Sequence, residues 1–289
     1  MNYEGNIIRP PSEADSIILQ VTVGCSHNAC TFCGAYRDKL FRIKDSGTVD
    51  MDIDFAAQYC GRQKTVFLAD GNALVLPQPR LVELLKKIKN KLPQVRRVSL
   101  YANARDILRR SPLELKELKE MGVRRIYMGL ESGHDPTLAA IAKGDDSRTI
   151  IAAGSAVREA GIFLSVTVLL GIAGIAHSLA HAEATAFALN AMRPNQVAVL
   201  TLMLLADTPL AGLARSGRFH LPEHRELFIE LRTLLEHLHL SRAQFQANHA
   251  SNYFSLDGRL PRDKNIFLSF INDALSGKLS LKPEHRRAL

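Results

Sequence analysis

The chain has 289 residues, enough to bury a large core as one big α/β domain or two smaller ones. Hydrophobic content of 46% and charged content of 23% are ordinary for a soluble globular protein, and no apolar run is long enough to cross a membrane. The net charge of +8 favours anionic partners (nucleic acid or anionic metabolites), or serves only solubility. Met1-Asn2-Tyr3-Glu4-Gly5 does not begin as a signal peptide, so the expected compartment is a reducing cytoplasm.

In chain order, Ile17 to Val23 reads as a strand that ends in a loop bearing three of the four cysteines, Cys25, Cys30 and Cys33. Tyr36 to Lys44 is basic and aromatic and reads as a loop over a site. Asp54 to Cys60 predicts a helix and Thr65 to Ala69 a short strand, with Asp70-Gly71-Asn72 at its exit. Leu81, Leu84, Leu85 and Ile88 have the spacing of an amphipathic helix over 79–92. Its lysines, Lys86, Lys87, Lys89 and Lys91, read as a solvated face. A strand over 97–102 exits into Asn103-Ala104-Arg105-Asp106. Ser111-Pro112 opens a helix through Met121 that Gly122 closes. Strands over 123–130, 162–170 and 196–203 follow, with helices over 136–142, 147–160 and 177–192 between them. Six strand–helix units with short turns argue a parallel sheet, wound as a barrel or laid out as an open α/β layer. The polar clusters fall at strand carboxyl ends, where such folds build their sites. Beyond this core, 221–240 and 264–275 predict helices, and the basic tail from Lys282 is expected to fray.

Three cysteines on one loop are an odd number for disulfides, and nothing else suggests secretion. A structural zinc site needs a fourth ligand, for which His27 and Cys60 are the nearby candidates, and it usually needs a second pair set apart. A compact iron–sulfur loop matches better, with one iron left open. Zinc and a coincidental buried set remain the alternatives. Cys60 itself reads as a small core residue.

Cys25-x4-Cys30-x2-Cys33, with Phe32 before the last cysteine, resembles the cluster loop of the radical S-adenosylmethionine (SAM) enzymes. The usual family spacing has three residues between the first two cysteines, and this chain has four. The resemblance selects a partial (β/α)6 TIM barrel over residues 1–205, with a mainly helical C-terminal extension over 206–289 that closes the barrel. It implies a [4Fe-4S] cluster on Cys25, Cys30 and Cys33, with SAM on the open iron and Phe32 beside adenine. Tyr127-Met128-Gly129-Leu130-Glu131-Ser132-Gly133, with Lys143 downstream, is similar to the branch of elongator-type, methylthiotransferase-type and coproporphyrinogen oxidase-type enzymes.

Each site residue has two readings. Asp70, Gly71 and Asn72 either face the SAM methionine amine or form a simple turn. Glu131 and Ser132 either hold a ribose or ammonium, or Glu131 pairs with a core arginine; Lys143 is a further candidate. Ser99, Tyr101 and Asn103 share one face by alternation if Val98 and Leu100 pack away from it, and they contact cofactor or form a polar core layer. Gly171 and Gly174 either lie against adenine or form a helix-entry turn. His249, Ser251, Asn252 and Tyr253 either line a substrate cavity or cap a helix and turn.

The implied activity is reductive cleavage of SAM to a 5′-deoxyadenosyl radical that takes a hydrogen from a small-molecule substrate. The implied partner is an electron donor such as flavodoxin or ferredoxin. Auxiliary-cluster chemistry and a cobalamin module are not expected. A non-catalytic iron–sulfur or SAM-binding chaperone of a haem-type cofactor and an RNA-modifying enzyme are the alternatives, nucleic acid being the less favoured partner.

Overall fold

The apolar strand runs pair as mostly parallel ladders with helices packed around them, an α/β arrangement. The computed structural model describes residues 1–288, which divide into two compact units. The first comprises Met1–Asn28, Ala35–Met128 and Ala156–Leu164; the second comprises Ala29–Gly34, Gly129–Ser155 and the chain from Ser165 onward.

In the first unit, β1 (Ile17–Gln20) pairs in parallel with β4 (Thr65–Ala69), and β4 with β5 (Arg97–Tyr101). β5 continues onto β6 (Val123–Glu131), whose last three residues belong to the second unit, with a register shift at Val98/Ser99. The predicted first strand breaks at Val21. Beyond it, β2 (Thr22–Val23) pairs antiparallel with β3 (Arg42–Ile43), so part of the predicted 36–44 loop is a hairpin strand. Phe67, Ala69 and Tyr127 form a core against which Ile7, Ile18 and Tyr101 pack. The three rings meet edge to face, Phe67–Tyr101 at 5.2 Å and Phe67–Tyr127 at 6.1 Å.

Helix α1 (Ser46–Tyr59) starts eight residues before the predicted 54, because the Asp45 carboxylate caps it by accepting the Thr48 N–H at 2.9 Å. Helix α2 (Gln78–Lys91) buries Leu81, Leu84, Leu85 and Ile88, the predicted stripe. On its other face Lys87 pairs with Asp50 and Glu83, and Lys91 with Asp54, in keeping with a solvated, ion-paired surface. A five-residue helix, α3 (Ala104–Leu108), begins directly after Asn103, within the exit Asn103-Ala104-Arg105-Asp106 read after this strand. Helix α4 (Pro112–Glu120) carries a full capping box between Ser111 and Glu114, with Pro112 at its first position.

The second unit begins with α5 (Asp135–Ala140) and α6 (Ser147–Glu159), whose last residues pass into the first unit. β7 (Phe163–Leu170) and β8 (Gln196–Thr201) are parallel, Ser165 opposite Gln196 through Leu170 opposite Thr201. Helix α7 (Gly174–Met192) connects them, and α8 (Pro209–Arg215) follows β8. Helix α9 (His224–His237) packs on α7. It has no side-chain N-cap, so it is held by burial of Leu227, Phe228, Leu231, Leu234 and Leu235, each worth about 1.5–3 kcal/mol. The region after 205 is mainly helical, as expected, but it also adds strands. β9 (Ala243–Ala247) joins β8 in parallel and β10 (Leu256–Leu260) returns antiparallel before α10 (Lys264–Leu275). Ala243, Phe245 and Ala247 are buried and alternate with glutamines, a period-two pattern in the sequence itself.

The basic tail does not fray. Arg287 is buried, donating to Ser251 O at 2.6 Å and Leu202 O at 3.0 Å, with its guanidinium 4.1 Å from the Tyr253 ring centroid. Burial with hydrogen-bond partners, rather than charge, decides the order of this segment.

Candidate active site

Gly24, at φ +76°, turns the chain from β2 into the cysteine loop and places Cys25 at the mouth of β4. The Gly71 N–H donates to Gly24 O at 3.2 Å. A Cβ on Gly71 would sit 2.8 Å from Cys25 Cβ and 2.8 Å from Tyr36 Cε2, so only glycine lets the β4 exit lie against Cys25. Asp70 is fully buried behind it. Its Oδ2 accepts from Gln20 Nε2 at 3.1 Å and from the Gly24 N–H at 3.4 Å, and its own N–H donates to Thr22 Oγ1 at 3.2 Å. Burial raises the Asp70 carboxyl above its ordinary pKa, opposed by Tyr36 and Gln20 beside it. Tyr36 is raised as well, by burial first and then by Asp70.

Asn72 is fully buried and saturated. Its amide donates to Ser26 Oγ at 2.7 Å and Asp106 Oδ2 at 2.5 Å, and its oxygen accepts the Asn103 N–H at 3.2 Å. Asn103 Nδ2 reaches the same Ser26 Oγ at 3.4 Å. The structure thus brings Asn72 and Asn103 together on Ser26, the residue after Cys25. Ser99 is fully buried and its hydroxyl has no protein partner; Val98 and Leu100 are buried as well. Tyr101 is half-buried in the aromatic cluster, and burial raises its hydroxyl pKa.

The extra residue of the loop meets a left-handed Asn28 (φ 41°), whose amide donates to Tyr36 O at 2.8 Å and Lys39 O at 3.5 Å. Asparagine tolerates this conformation better than most side chains.

In the second unit, Thr31 fixes the other half of the loop. Its N–H donates to Ile141 O at 2.9 Å and its carbonyl accepts the Leu210 N–H at 3.0 Å, while Cys33 N–H turns back to Cys30 O at 3.3 Å. Cys30, Phe32 and Cys33 are each partly exposed, as is Cys25 in the first unit, and among the described residues no disulfide joins any cysteine.

Glu131 ends β6 in the left-handed region (φ 59°) and pairs with Lys143 at 3.0 Å, so its cation is a lysine rather than the core arginine considered from sequence. Gly129 makes room for this pair. Ser132 is fully buried, with its Oγ 2.7 Å from His181 Nδ1 and accepting the His134 N–H at 3.0 Å. Gly171, at φ +81°, ends β7 and gives its N–H to Glu230 Oε1 at 2.7 Å. Gly174 (φ +67°) opens α7. Ser251 and Asn252 close the end of β8: Thr201 N–H donates to Ser251 Oγ, Thr201 Oγ1 to Asn252 Oδ1, and Asn252 Nδ2 to Val199 O.

Sequence reasoning missed Gln20, Ser26, Asp106, His181 and Glu230. Glu230 carried a usable signal, since a carboxylate between Leu227 and Leu231 on the apolar stripe of α9 has to be partnered. Ser26 carried none, because its partners come from distant strand exits.

Among the described residues, no group of three or more His, Cys, Asp and Glu side chains is arranged to hold a metal ion. The three thiols lie on one loop of nine residues, a spacing in which metal binding can be coupled to local folding. The donor set, three thiols outside any disulfide with a side-chain-free glycine against the first, fits an iron–sulfur cluster with one open iron.

An α/β protein with parallel strands and a three-cysteine loop after β2, near its N-terminus, defines a class of iron–sulfur barrel proteins. A model of the radical SAM superfamily matches residues 19–181, more than half of the chain, and the chain belongs to that superfamily. Its members use a [4Fe-4S] cluster and SAM, and Cys25, Cys30 and Cys33 are present to match. The heme chaperone HemW of Bacillus subtilis (strain 168) is 28% identical over 169 residues, 56% of this chain and 43% of that one. The chain thus spans less than half the length of this curated relative. Among solved structures, methylornithine synthase (PylB) superposes with a TM-score of 0.55 at 16% identity over 79% of this chain and 63% of its own. Coproporphyrinogen III oxidase (HemN) of Escherichia coli gives 0.56 at 14% identity over 76% and 51%. At these identities the likeness is one of fold, the partial TIM barrel. No helix among the described residues is long and apolar enough to cross a membrane.

Proposed function

We propose that this chain is a radical SAM enzyme in which Cys25, Cys30 and Cys33 hold the cluster and Glu131, beside Lys143, faces SAM. When bound, the cluster and SAM supply a one-electron cleavage that yields methionine and a 5′-deoxyadenosyl radical for hydrogen abstraction from a small molecule. The observation that carries this reading is the contact of the Gly71 backbone with Cys25, which commits the β4 exit to the cysteine loop within a matched family segment.

The chain's own residues orient and shield. Asp70 and Gln20 fix the Gly24 backbone before Cys25, and Asn72 and Asn103 fix Ser26 after it. Asp70-Gly71-Asn72, Ser99 and Asn103 are proposed to border the methionine end of SAM. Phe32 and Gly171 are proposed to border adenine, and Glu131, Ser132 and Lys143 the ribose end. An electron donor such as flavodoxin or ferredoxin is part of the proposal.

The test is anaerobic reconstitution with iron and sulfide, reduction, addition of SAM, and assay of 5′-deoxyadenosine. Product from wild type and none from Cys30→Ala supports the reading; a protein that binds zinc and no cluster overturns it. A second reading, a haem-type cofactor chaperone, is favoured by the similarity to the heme chaperone over 56% of the chain. A cluster-loaded protein that binds haem, transfers it to an apo-acceptor and leaves SAM intact would select that reading.

A further inference from the structure

His181 and Glu230 are enclosed in the second unit with 1% and 0% exposure, and no step proposed above uses them. Glu230 accepts two hydrogen bonds and lies beside the His181 ring. Its Oε1 accepts the Gly171 N–H at 2.7 Å and lies 3.4 Å from His181 Nε2, and its Oε2 accepts the Ser178 hydroxyl. On the other ring edge, His181 Nδ1 lies 2.7 Å from Ser132 Oγ and 3.3 Å from Thr185 Oγ1. Ser132 Oγ accepts the His134 N–H, and Thr185 Oγ1 accepts the Gly133 N–H at 2.9 Å.

The proton positions follow from this accounting. The Glu230 carboxylate beside Nε2 favours the ring proton on that nitrogen, which leaves Nδ1 to accept the Ser132 proton while Ser132 Oγ accepts the His134 N–H. The order serine, histidine, carboxylate resembles a hydrolase triad, but Ser132 has 0% exposure and no substrate can reach it. What the line does connect is α9, the β7 exit at Gly171 and the β6 exit at Ser132, one residue from Glu131.

We propose that His181 and Glu230 are positioning residues: through Ser132 and Gly171 they hold the carboxyl ends of β6 and β7 in the geometry that receives SAM. This rests on the radical SAM reading. It also assigns the Ser132 hydroxyl to His181 rather than to the cofactor. A network that serves packing alone would lower stability without changing SAM affinity in the folded protein.

The experiment compares wild type with Glu230→Leu, Glu230→Gln and His181→Phe as cluster-loaded proteins matched for iron content. Amide hydrogen exchange is followed by mass spectrometry in peptides covering 131–135 and 170–175, and the SAM Kd is measured by equilibrium dialysis. Expected for Glu230→Leu and His181→Phe are exchange at both strand ends at least about tenfold faster, β4 unchanged, and a SAM Kd raised about tenfold, the scale of one lost hydrogen bond to a charged group. Glu230→Gln, which keeps an acceptor for Gly171 and His181, stays within about threefold of wild type on the same scale. Unchanged exchange in a folded Leu or Phe variant overturns the proposal, and so does faster exchange with unchanged SAM affinity. Should Glu230→Leu fail to fold, His181→Phe, of similar volume, makes the same comparison. Wild type that loads a cluster but binds no SAM overturns the functional reading instead, and the exchange data then judge the network alone.

Discussion

Replacing Gly129 by alanine adds one methyl group against the Glu131–Lys143 pair. Gly129 lies inside β6 with no left-handed φ, so its backbone accepts alanine. The change alone would stabilise the strand by about 0.5–1 kcal/mol through the unfolded state. The added Cβ, however, would fall well inside contact distance of Glu131 Oε1 and 2.9 Å from Lys143 Nζ. The carboxylate has to move, and Glu131 already occupies the left-handed region, which leaves its backbone little room to follow. The Glu131 and Lys143 side chains are 12% and 16% exposed, so separating them costs about 1–3 kcal/mol. The two effects nearly cancel or leave a net loss of up to about 2.5 kcal/mol.

SAM affinity has no such compensation. If Glu131 accepts hydrogen bonds from the cofactor, displacing it forfeits about 1.5–3 kcal/mol, a rise of roughly 10- to 150-fold in Kd. The assay is anaerobic equilibrium dialysis of SAM on cluster-loaded protein, with a urea midpoint measured alongside. Gly61→Ala, where nothing lies within 4 Å of the new Cβ, is the control. A folded Gly129→Ala protein that binds SAM as tightly as wild type would refute the role given to Glu131, and one more stable than wild type in urea would refute the contact drawn for the added methyl group.

Asn28→Ala loses two side-chain hydrogen bonds and the tolerance for φ 41°, so its iron incorporation is expected to fall several-fold while Asn28→Gly, which keeps the backbone freedom, falls less; equal iron content in both would remove Asn28 from loop positioning. Arg287→Ala strands the Ser251 and Leu202 carbonyls in a buried setting, and a destabilisation of about 3 kcal/mol is expected by chemical denaturation, against less than about 0.5 kcal/mol if the tail were frayed. Burial, together with His177 and His181, lowers the His134 pKa, and burial, together with Lys282, lowers that of His249. A folded pKa below the unfolded value means that the unfolded chain binds more protons as pH falls through about 6.5, so this stability is present above that pH and is lost on the acid side. The urea midpoint should therefore drop between pH 7.5 and 5.5, and His134→Gln should reduce the drop; an identical profile in the variant would contradict the assignment.

Much of the architecture was legible because it rests on local signals. β4 matches its predicted bounds, since a fully buried parallel strand reads as an unbroken apolar run. α4 matches to within a residue at each end, since Ser111, Pro112, Glu114 and Gly122 punctuate it. What stayed hidden depends on partners far away in sequence. Val21 reads as strand, yet the chain breaks there because its N–H goes to Ala69 O and its carbonyl to the Lys44 N–H. The run 282–288 reads as a charged tail, yet Arg287 is ordered by carbonyls at 202 and 251.

The same distinction orders the candidate site. Residue type and strand-end position pointed to Asp70, Asn72, Ser132 and Glu131 alike, but only the hydrogen bonds separate them. Asn72 spends its amide on Ser26, Asp106 and Asn103, and Ser132 spends its hydroxyl on His181 and His134. Groups already satisfied by protein gain little further from a ligand, so the part proposed for Asn72 and Ser132 beside SAM is to hold the residues around them. Glu131 makes a single ion pair, and Asp70 Oδ1 is buried without a hydrogen-bond partner. A carboxylate with unspent acceptors is where a ribose hydroxyl or an ammonium gains most. Glu131, at the edge of burial and paired only with Lys143, is therefore the one of the two we propose as the cofactor contact.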